Sequence, residues 1–238
     1  MTDTGRADLH SSVLDQLGLL ITSGDLPAGE VLRIEQLESR FGVSRSVIRE
    51  TIRVLESMGM VASRRRVGIT VAPGASWNVF DPRIITWRLD GKGRDEQLRS
   101  LSELRRGMEP VAAGLAARRA TPEQCGELTG AVMDMAVHGR SGDLEAYLNA
   151  DIRFHRTLLE ASGNEMLSAL SDVVAAVLTG RTHHHLMPAN PEPSAIRWHA
   201  DVAQAVQAGD AAAAERAMRD IVEEATAAML GEQPSAEG

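Results

Sequence analysis

The stretch GVSRSVIRETIRVLESMG, from Gly42 to Gly59, constrains the fold more than any other part of the chain. Its periodicity is that of a helix with two unlike faces. Ser44 stands where an N-cap belongs, with a hydroxyl that can take a free backbone N–H of the first turn, and Gly59 stands where a helix stops. Ile48, Ile52 and Leu55 keep the i, i+4, i+7 spacing of a buried stripe. Arg45, Arg49 and Arg53 recur every four residues on another face, with Ser46 beside the first of them. One face ties the helix to a small core. The other offers guanidinium groups, whose planar forks suit phosphates and guanine edges.

The neighbouring residues complete a unit. Ile34 to Phe41 reads as a shorter helix with Ile34, Leu37 and Phe41 inward, and Gly42-Val43 reads as a tight turn. Helix, short glycine-containing turn, helix is the helix-turn-helix arrangement, whose second helix enters the major groove. Beyond Gly59, Met60 to Ser63 and Ile69 to Val71 are strand-like. They flank Arg64-Arg65-Arg66-Val67-Gly68, which predicts a β-hairpin wing with an arginine tip.

ITSGDLPAGEVL at residues 21–32, Gly42-Val43-Ser44-Arg45 with Ile48-Arg49-Glu50, and the Gly68 wing fall in order over residues 9–73. That segment resembles the winged helix of GntR-type transcription regulators. The resemblance implies a homodimer on a palindromic double-stranded DNA operator. It places the DNA contacts at Arg33, Ser44, Arg45, Ser46, Arg49, Arg64, Arg65, Arg66 and Gly68, with Arg45 and Arg49 on base edges or adjacent phosphates.

A formal net charge of −8 sits oddly with DNA binding until it is divided along the chain. Residues 1–74 hold nine of the 25 basic and nine of the 33 acidic residues, leaving 16 and 24 beyond, so the second part carries the whole −8. Within residues 40–70, seven Arg face only Glu50 and Glu56, a local +5. A local basic footprint is what DNA binding needs. Cys125 is the lone cysteine, so no disulfide framework is expected. No leader-like pattern and no apolar run of about 20 residues stands out, which predicts a cytoplasmic protein away from the membrane.

Taken in order, residues 1–8 read as a flexible tail and Leu9 to Ser23 as a helix. Residues 74–94 read as a linker with a short helix begun by Asp81-Pro82, an N-cap followed by proline at the first helical position. Its Trp77, Phe80 and Trp87 are expected to pack against one domain or the other. From residue 95 to 231 no strand pattern appears. Helices are expected over Asp95 to Arg119, Thr121 to about His138, Gly142-Asp143 to Ala161, Met166 to about His184, Ser194 to Gln207, and Asp210 to Leu230. Pro188, Pro191 and Pro193 mark a loop, and residues 232–238 read as a second flexible tail. The fold class is therefore mainly α: an N-terminal winged helix-turn-helix domain and a C-terminal all-α bundle of about six helices.

Two inward stripes of that bundle carry ionisable residues. The helix over 143–161 turns Leu144, Leu148, Asp151, His155 and Leu158 to one side, and an i, i+4 Asp/His pair can grip one metal ion. The helix over 194–207 turns Ala195, His199, Val202 and Val206 inward. Arg105 lies beside Leu101, Met108 and Ala112 on the first bundle helix, with Glu109 one turn on. An interior that gathers Asp, two His and Arg from separate helices points to a ligand site rather than packing alone. Adjacent residues on a helix point in different directions, so His183-His184-His185 is not expected to hold one ion.

Leu104-Arg105 to Glu109-Pro110, Asp151-Ile152-Arg153-Phe154-His155, Ser162-Gly163-Asn164 and Trp198-His199 resemble the C-terminal effector domain, the FCD domain, of the FadR-type branch of that family. The resemblance implies a divalent metal on Asp151, His155 and His199, with zinc favoured and nickel or manganese open. It implies a small carboxylate effector, with Arg105 on the carboxylate and Arg153, Arg181 and His183 as lesser contacts. The family's fourth metal ligand, a His in the last helix, falls by spacing on the apolar Ile221, with Asp220 next to it. The Trp77-Asn78 to Trp87 segment resembles members that respond to hexonates such as galactonate or gluconate. The expected function is thus a repressor of sugar-acid catabolism genes and not an enzyme. A metal-responsive regulator without an organic effector stays open, as does a metalloenzyme built on one carboxylate and two imidazoles. The Asp/His/His set argues against an acyl-CoA-responsive member.

Overall fold

The structure is a computed structural model that describes residues 3–64, 66, 68–184, 186 and 193–230. It divides into two compact units, residues 1–94 and residues 95–238.

In the first unit the helices are α1 (Asp3–Thr22), α2 (Ile34–Phe41), α3 (Arg45–Ser57) and α4 (Pro82–Asp90). The strands are β1 (Val31–Leu32), β2 (Val61–Arg64) and β3 (Gly68–Val71), in the antiparallel order β1-β3-β2. Arg64 pairs with Gly68 and Val61 with Val71, which fixes the wing. The buried stripe of α3 joins Leu14 and Leu17 of α1, Leu37 of α2 and Met60 in one core, with Ile34 and Phe41 packed partly buried against it.

Helix α1 begins at Asp3, so residues 3–8 extend the helix where a tail was expected. Adding residues to an existing helix is far easier than starting one, so a segment with a single glycine can continue it. The segment expected to be a linker belongs to the winged-helix core. Ile84 and Trp87 of α4 are buried in that core, and Trp87 Nε1 donates to Asp15 Oδ1 at 3.1 Å. The indole lies so close to α1 that a Cβ on Gly18 would meet its ring at 2.5 Å. Only glycine admits that approach. Trp77 donates to the Ala72 carbonyl at 3.1 Å. Phe80, by contrast, is 49 % exposed and does not pack as expected.

The second unit is helical among the described residues: α5 (Arg94–Arg119), α6 (Pro122–Ser141), α7 (Leu144–Ala161), α8 (Glu165–Ser168), α9 (Ser171–His183), α10 (Pro193–Ala208) and α11 (Ala211–Leu230). Thr121 and Gln124 form a reciprocal capping box at the start of α6, and Asp143 caps α7 by accepting from the Ala146 N–H. The helix expected from Met166 to His184 is two helices. Ser168 Oγ donates to the Leu159 and Asn164 carbonyls, and Ser171 Oγ to the Ser168 carbonyl. Serine hydroxyls offer the backbone an alternative to continuous helix, and the break at Leu170 lies between these two. The predicted 232–238 tail and Pro188 and Pro191 lie outside the described residues.

Candidate functional site

The first site is the basic face of the winged helix. Arg33, Ser44, Arg45, Ser46, Arg49, Arg64, Arg66 and Gly68 are all exposed, and Arg65 lies outside the described residues. Arg33, Arg64 and Gly68 line one groove with Glu35, between the start of α2 and the wing. Arg45 reaches the same edge through an ion pair with Glu35 at 3.1 Å. Arg66 adopts φ 69°, a left-handed conformation uncommon for a residue with a Cβ, at the wing tip. Ser44 takes the N-cap position with extended backbone, yet its hydroxyl makes no capping bond and lies 2.9 Å from the Ser46 hydroxyl instead. Arg53 is occupied by Glu50 at 2.9 Å, whereas Arg49 carries no ion pair among the described residues.

The second site lies inside the bundle. Asp151 and His155 of α7, His199 of α10, Arg105 and Glu109 of α5 and Arg181 of α9 are each at most 8 % exposed. Burying six ionisable groups is costly unless they satisfy one another. Arg105 grips Glu109 with Nε at 2.6 Å and a terminal NH2 at 3.1 Å. Arg181 donates to Asp151 Oδ2 at 3.3 Å. His155 Nδ1 faces Glu109 Oε2 at 3.1 Å, and His199 Nδ1 lies 2.7 Å from the Ala195 carbonyl. A carbonyl only accepts, so His199 Nδ1 carries a proton, and in the neutral ring Nε2 is then the atom with a lone pair to offer.

What remains is a set of atoms without partners among the described residues. Asp151 Oδ1, His155 Nε2 and His199 Nε2 are buried and make no aligned hydrogen bond. Both Nε2 atoms lie 3.3 Å from that same Oδ1, and the three ligand atoms fall within 4.8 Å of one another. Two ligands of one tetrahedral ion with bonds of about 2.0–2.1 Å stand at about that separation. The Ala195 carbonyl behind His199 is an outer acceptor of the kind that orients a metal-bound imidazole, and Glu109 Oε2 stands 3.1 Å behind His155 Nδ1 without an aligned hydrogen bond. The donor set fits a divalent metal.

Electrostatics agree. Burial alone would raise the Asp151 carboxyl, but the two imidazoles facing it hold it well below the usual carboxylate range. Burial likewise opposes ionisation of Glu109, yet Arg105 and His155 bring it to about 2. Burial would lower the His155 imidazole, and the charges of Glu109 and Asp151 raise it instead. The place between those carboxylates favours a cation, a role that a proton or a metal can fill. With neutral imidazoles, Arg105 and Arg181 balance Glu109 and Asp151, so a divalent ion leaves an excess of +2 and calls for an anion.

Arg105 NH1 and Arg181 Nε are also buried without partners among the described residues. Glu109 already takes two corners of the Arg105 fork, so that guanidinium offers an incoming carboxylate a single free nitrogen rather than a bidentate grip. Arg153 does not join the cluster. It lies at the surface, paired with Asp134 at 2.6 Å, because two residues past Asp151 is about 200° round the helix, away from the cluster. His183 is 54 % exposed and bound to Glu145 at 3.0 Å, also away from the cluster. Ile221 is 4 % exposed in the apolar cluster that holds Phe154 and Val202, and Asp220 beside it is exposed, so neither supplies a fourth ligand atom. Glu109 had no role in the sequence reading; its signal was the i, i+4 spacing from Arg105.

A winged helix with an exposed arginine face, joined to a helical unit with a buried Asp/His/His set that could hold a metal ion, defines the class of DNA-binding regulators. Residues 9–71 match "Bacterial regulatory proteins, gntR family" and residues 100–224 match the FCD domain. The chain belongs to the GntR family of transcription regulators, in the group with an FCD domain, and is not an enzyme. It is 29 % identical over 212 residues to the galactonate operon transcriptional repressor of Escherichia coli K12, covering 88 % of this chain and 92 % of that protein. It is 29 % identical over 205 residues to the HTH-type transcriptional regulator LutR of Bacillus subtilis 168, covering 84 % and 91 %. The fold is similar to that of E. coli McbR/YncC, with TM-score 0.55, 20 % identity and coverage of 98 % and 99 %. No helix among the described residues is long and apolar enough to cross a membrane.

Proposed function

We propose that this regulator is a cytoplasmic repressor of sugar-acid catabolism genes, released from its operator by a hexonate-type carboxylate bound in the bundle at a divalent metal. The observation that carries this reading is the convergence of three buried, partnerless ligand atoms beside two guanidinium groups with free nitrogens. Asp151, His155 and His199 would hold the ion, zinc being the best match to imidazole and carboxylate, with nickel and manganese as the other candidates. Bound there, the ion supplies positions for carboxylate and hydroxyl oxygens. Arg105 NH1 and Arg181 Nε then meet the acid's charge with hydrogen bonds. The similarity to a galactonate operon repressor supports a hexonate. The test is operator release by D-galactonate and D-gluconate in metal-loaded protein. Release that persists unchanged after chelation and dialysis would refute the metal's part, and no release by any sugar acid would refute the effector class.

The DNA side of the proposal is a homodimer on a palindromic operator, with Arg45 and Arg49 near base edges and Arg33, Arg64, Arg65, Arg66 and Gly68 on the backbone or minor groove. Among the described residues, Arg49 is the arginine of α3 without an intramolecular ion pair. Arg49→Ala is therefore expected to weaken operator binding by about 1–3 kcal/mol at matched salt. Electrophoretic titration of a duplex operator measures it, and parental affinity would place the reading face elsewhere. Glu35 is an acidic side chain on this basic face, tied to Arg45. Glu35→Gln is expected to strengthen binding to random-sequence DNA by removing a repulsive charge. Unchanged non-specific affinity would place Glu35 away from the DNA.

A further inference from the structure

Ser102 is a buried hydroxyl of the bundle that lacks the usual helical partner among the described residues. A buried serine or threonine on a helix ordinarily returns its O–H to a carbonyl of the preceding turn. Thr182 does so to Leu178 at 3.1 Å, Thr226 to Val222 at 2.7 Å, and Ser162 to Leu159 at 2.6 Å. Ser102 is 2 % exposed and its Oγ has no partner among the described residues. An unmet buried hydroxyl is unfavourable and calls for an explanation. Its position supplies one. Ser102, Arg105 and Glu109 lie on the buried face of α5 at spacings of three and seven residues, and Arg105 NH1 one turn away is partnerless too.

We propose that Ser102 is a specificity-determining residue of the effector site, donating to a hydroxyl on the distal carbons of a polyhydroxylated acid. The proposal rests on the effector reading above and adds how the site tells long acids from short ones. Ser102 lies about 4.5 Å beyond Arg105 along the helix axis, at 1.5 Å rise per residue. A two- or three-carbon 2-hydroxy acid spends its carboxylate and hydroxyl on the metal and guanidinium positions and has nothing left to reach that far. A hexonate carries further hydroxyls in that direction, and each can both donate and accept. Ser102 therefore adds affinity for the long acid alone, and a buried polar group built to meet a hydroxyl discriminates against ligands that lack one.

The test is calorimetric titration of the full-length, zinc-loaded protein with D-gluconate, D-galactonate, L-lactate and glycolate. Ser102→Ala is expected to weaken hexonate binding by about tenfold while changing lactate and glycolate by less than about twofold. The ligand-free variant should melt at or above the parental temperature, because the change removes an unsatisfied buried hydroxyl; a lower melting temperature would show that the hydroxyl finds a partner without effector and would overturn the proposal. Ser102→Val, which adds bulk without polarity, should exclude the hexonates and still admit lactate. Equal losses for long and short acids, or none for either, would overturn the role of Ser102 while leaving the effector reading intact. If the zinc-loaded parent bound none of the four acids, the effector reading itself would fall and the role of Ser102 with it.

Discussion

Metal-loaded His155→Ala protein should hold its operator as tightly as the parent and no longer release it when a hexonate is added. His155 lies in the second unit, in α7, whereas the arginines proposed to meet DNA lie in the first, so truncating the imidazole leaves the proposed reading face untouched. It removes one of three ligand atoms and leaves Asp151 Oδ1 with one imidazole in place of two. Coupling between the sites is reciprocal: an effector that weakens DNA binding by some factor must itself bind DNA-bound protein more weakly by the same factor. A variant that cannot assemble the effector site therefore loses the response without gaining or losing basal affinity. The measurement is operator affinity with and without D-galactonate for parent, chelator-treated parent and variant. Parental release by the variant would place the effector elsewhere. A metal effect on DNA binding in the parent, with no effect of any acid, would favour regulation by the metal alone.

The sequence made the recognition helix legible because Ile48, Ile52 and Leu55 keep strict helical spacing and all three are buried, at most 4 % exposed. It also pointed to Asp151, His155 and His199, since an ionisable residue in an apolar stripe stands out whenever its neighbours are Leu and Val. Three features were not legible, for different reasons. Strand β1 is two residues long, too short for alternation to register. The break between α8 and α9 depends on where two serine hydroxyls turn, which leaves no trace in hydrophobic periodicity. The docking of α4 on α1 depends on Gly18 standing opposite Trp87, residues far apart in the chain whose pairing only the fold reveals. Arg153 failed as a site residue for a simpler reason. Lying next to Asp151 and His155 in sequence sets it on a different face of the same helix, where Asp134 and Glu127 neutralise it.

Glu109→Ala should cost more stability than any single change in the ligand set, about 3–5 kcal/mol, because it strands a charge. Arg105 is 1 % exposed, and Glu109, itself fully buried, meets it through two nitrogens. Without the carboxylate, the guanidinium is left to the more distant Asp151, which Arg181 already engages at 3.3 Å. His155 loses the carboxylate that faces Nδ1 in the same step. Metal affinity should then fall as well, by about 10–100-fold, as for other losses of an outer carboxylate. Urea unfolding of the metal-free protein reads the first effect, and zinc titration against a competing chelator reads the second. The paired replacement Arg105→Met with Glu109→Leu separates the two. Exchanging a whole buried ion pair for apolar groups of similar size is often neutral for stability, so the double variant should recover most of the unfolding free energy while remaining blind to hexonates. If Glu109→Ala unfolded within about 1 kcal/mol of the parent, below the range for stranding a buried charge, water would have to reach Arg105 in solution, and the site could not be the closed cluster seen here.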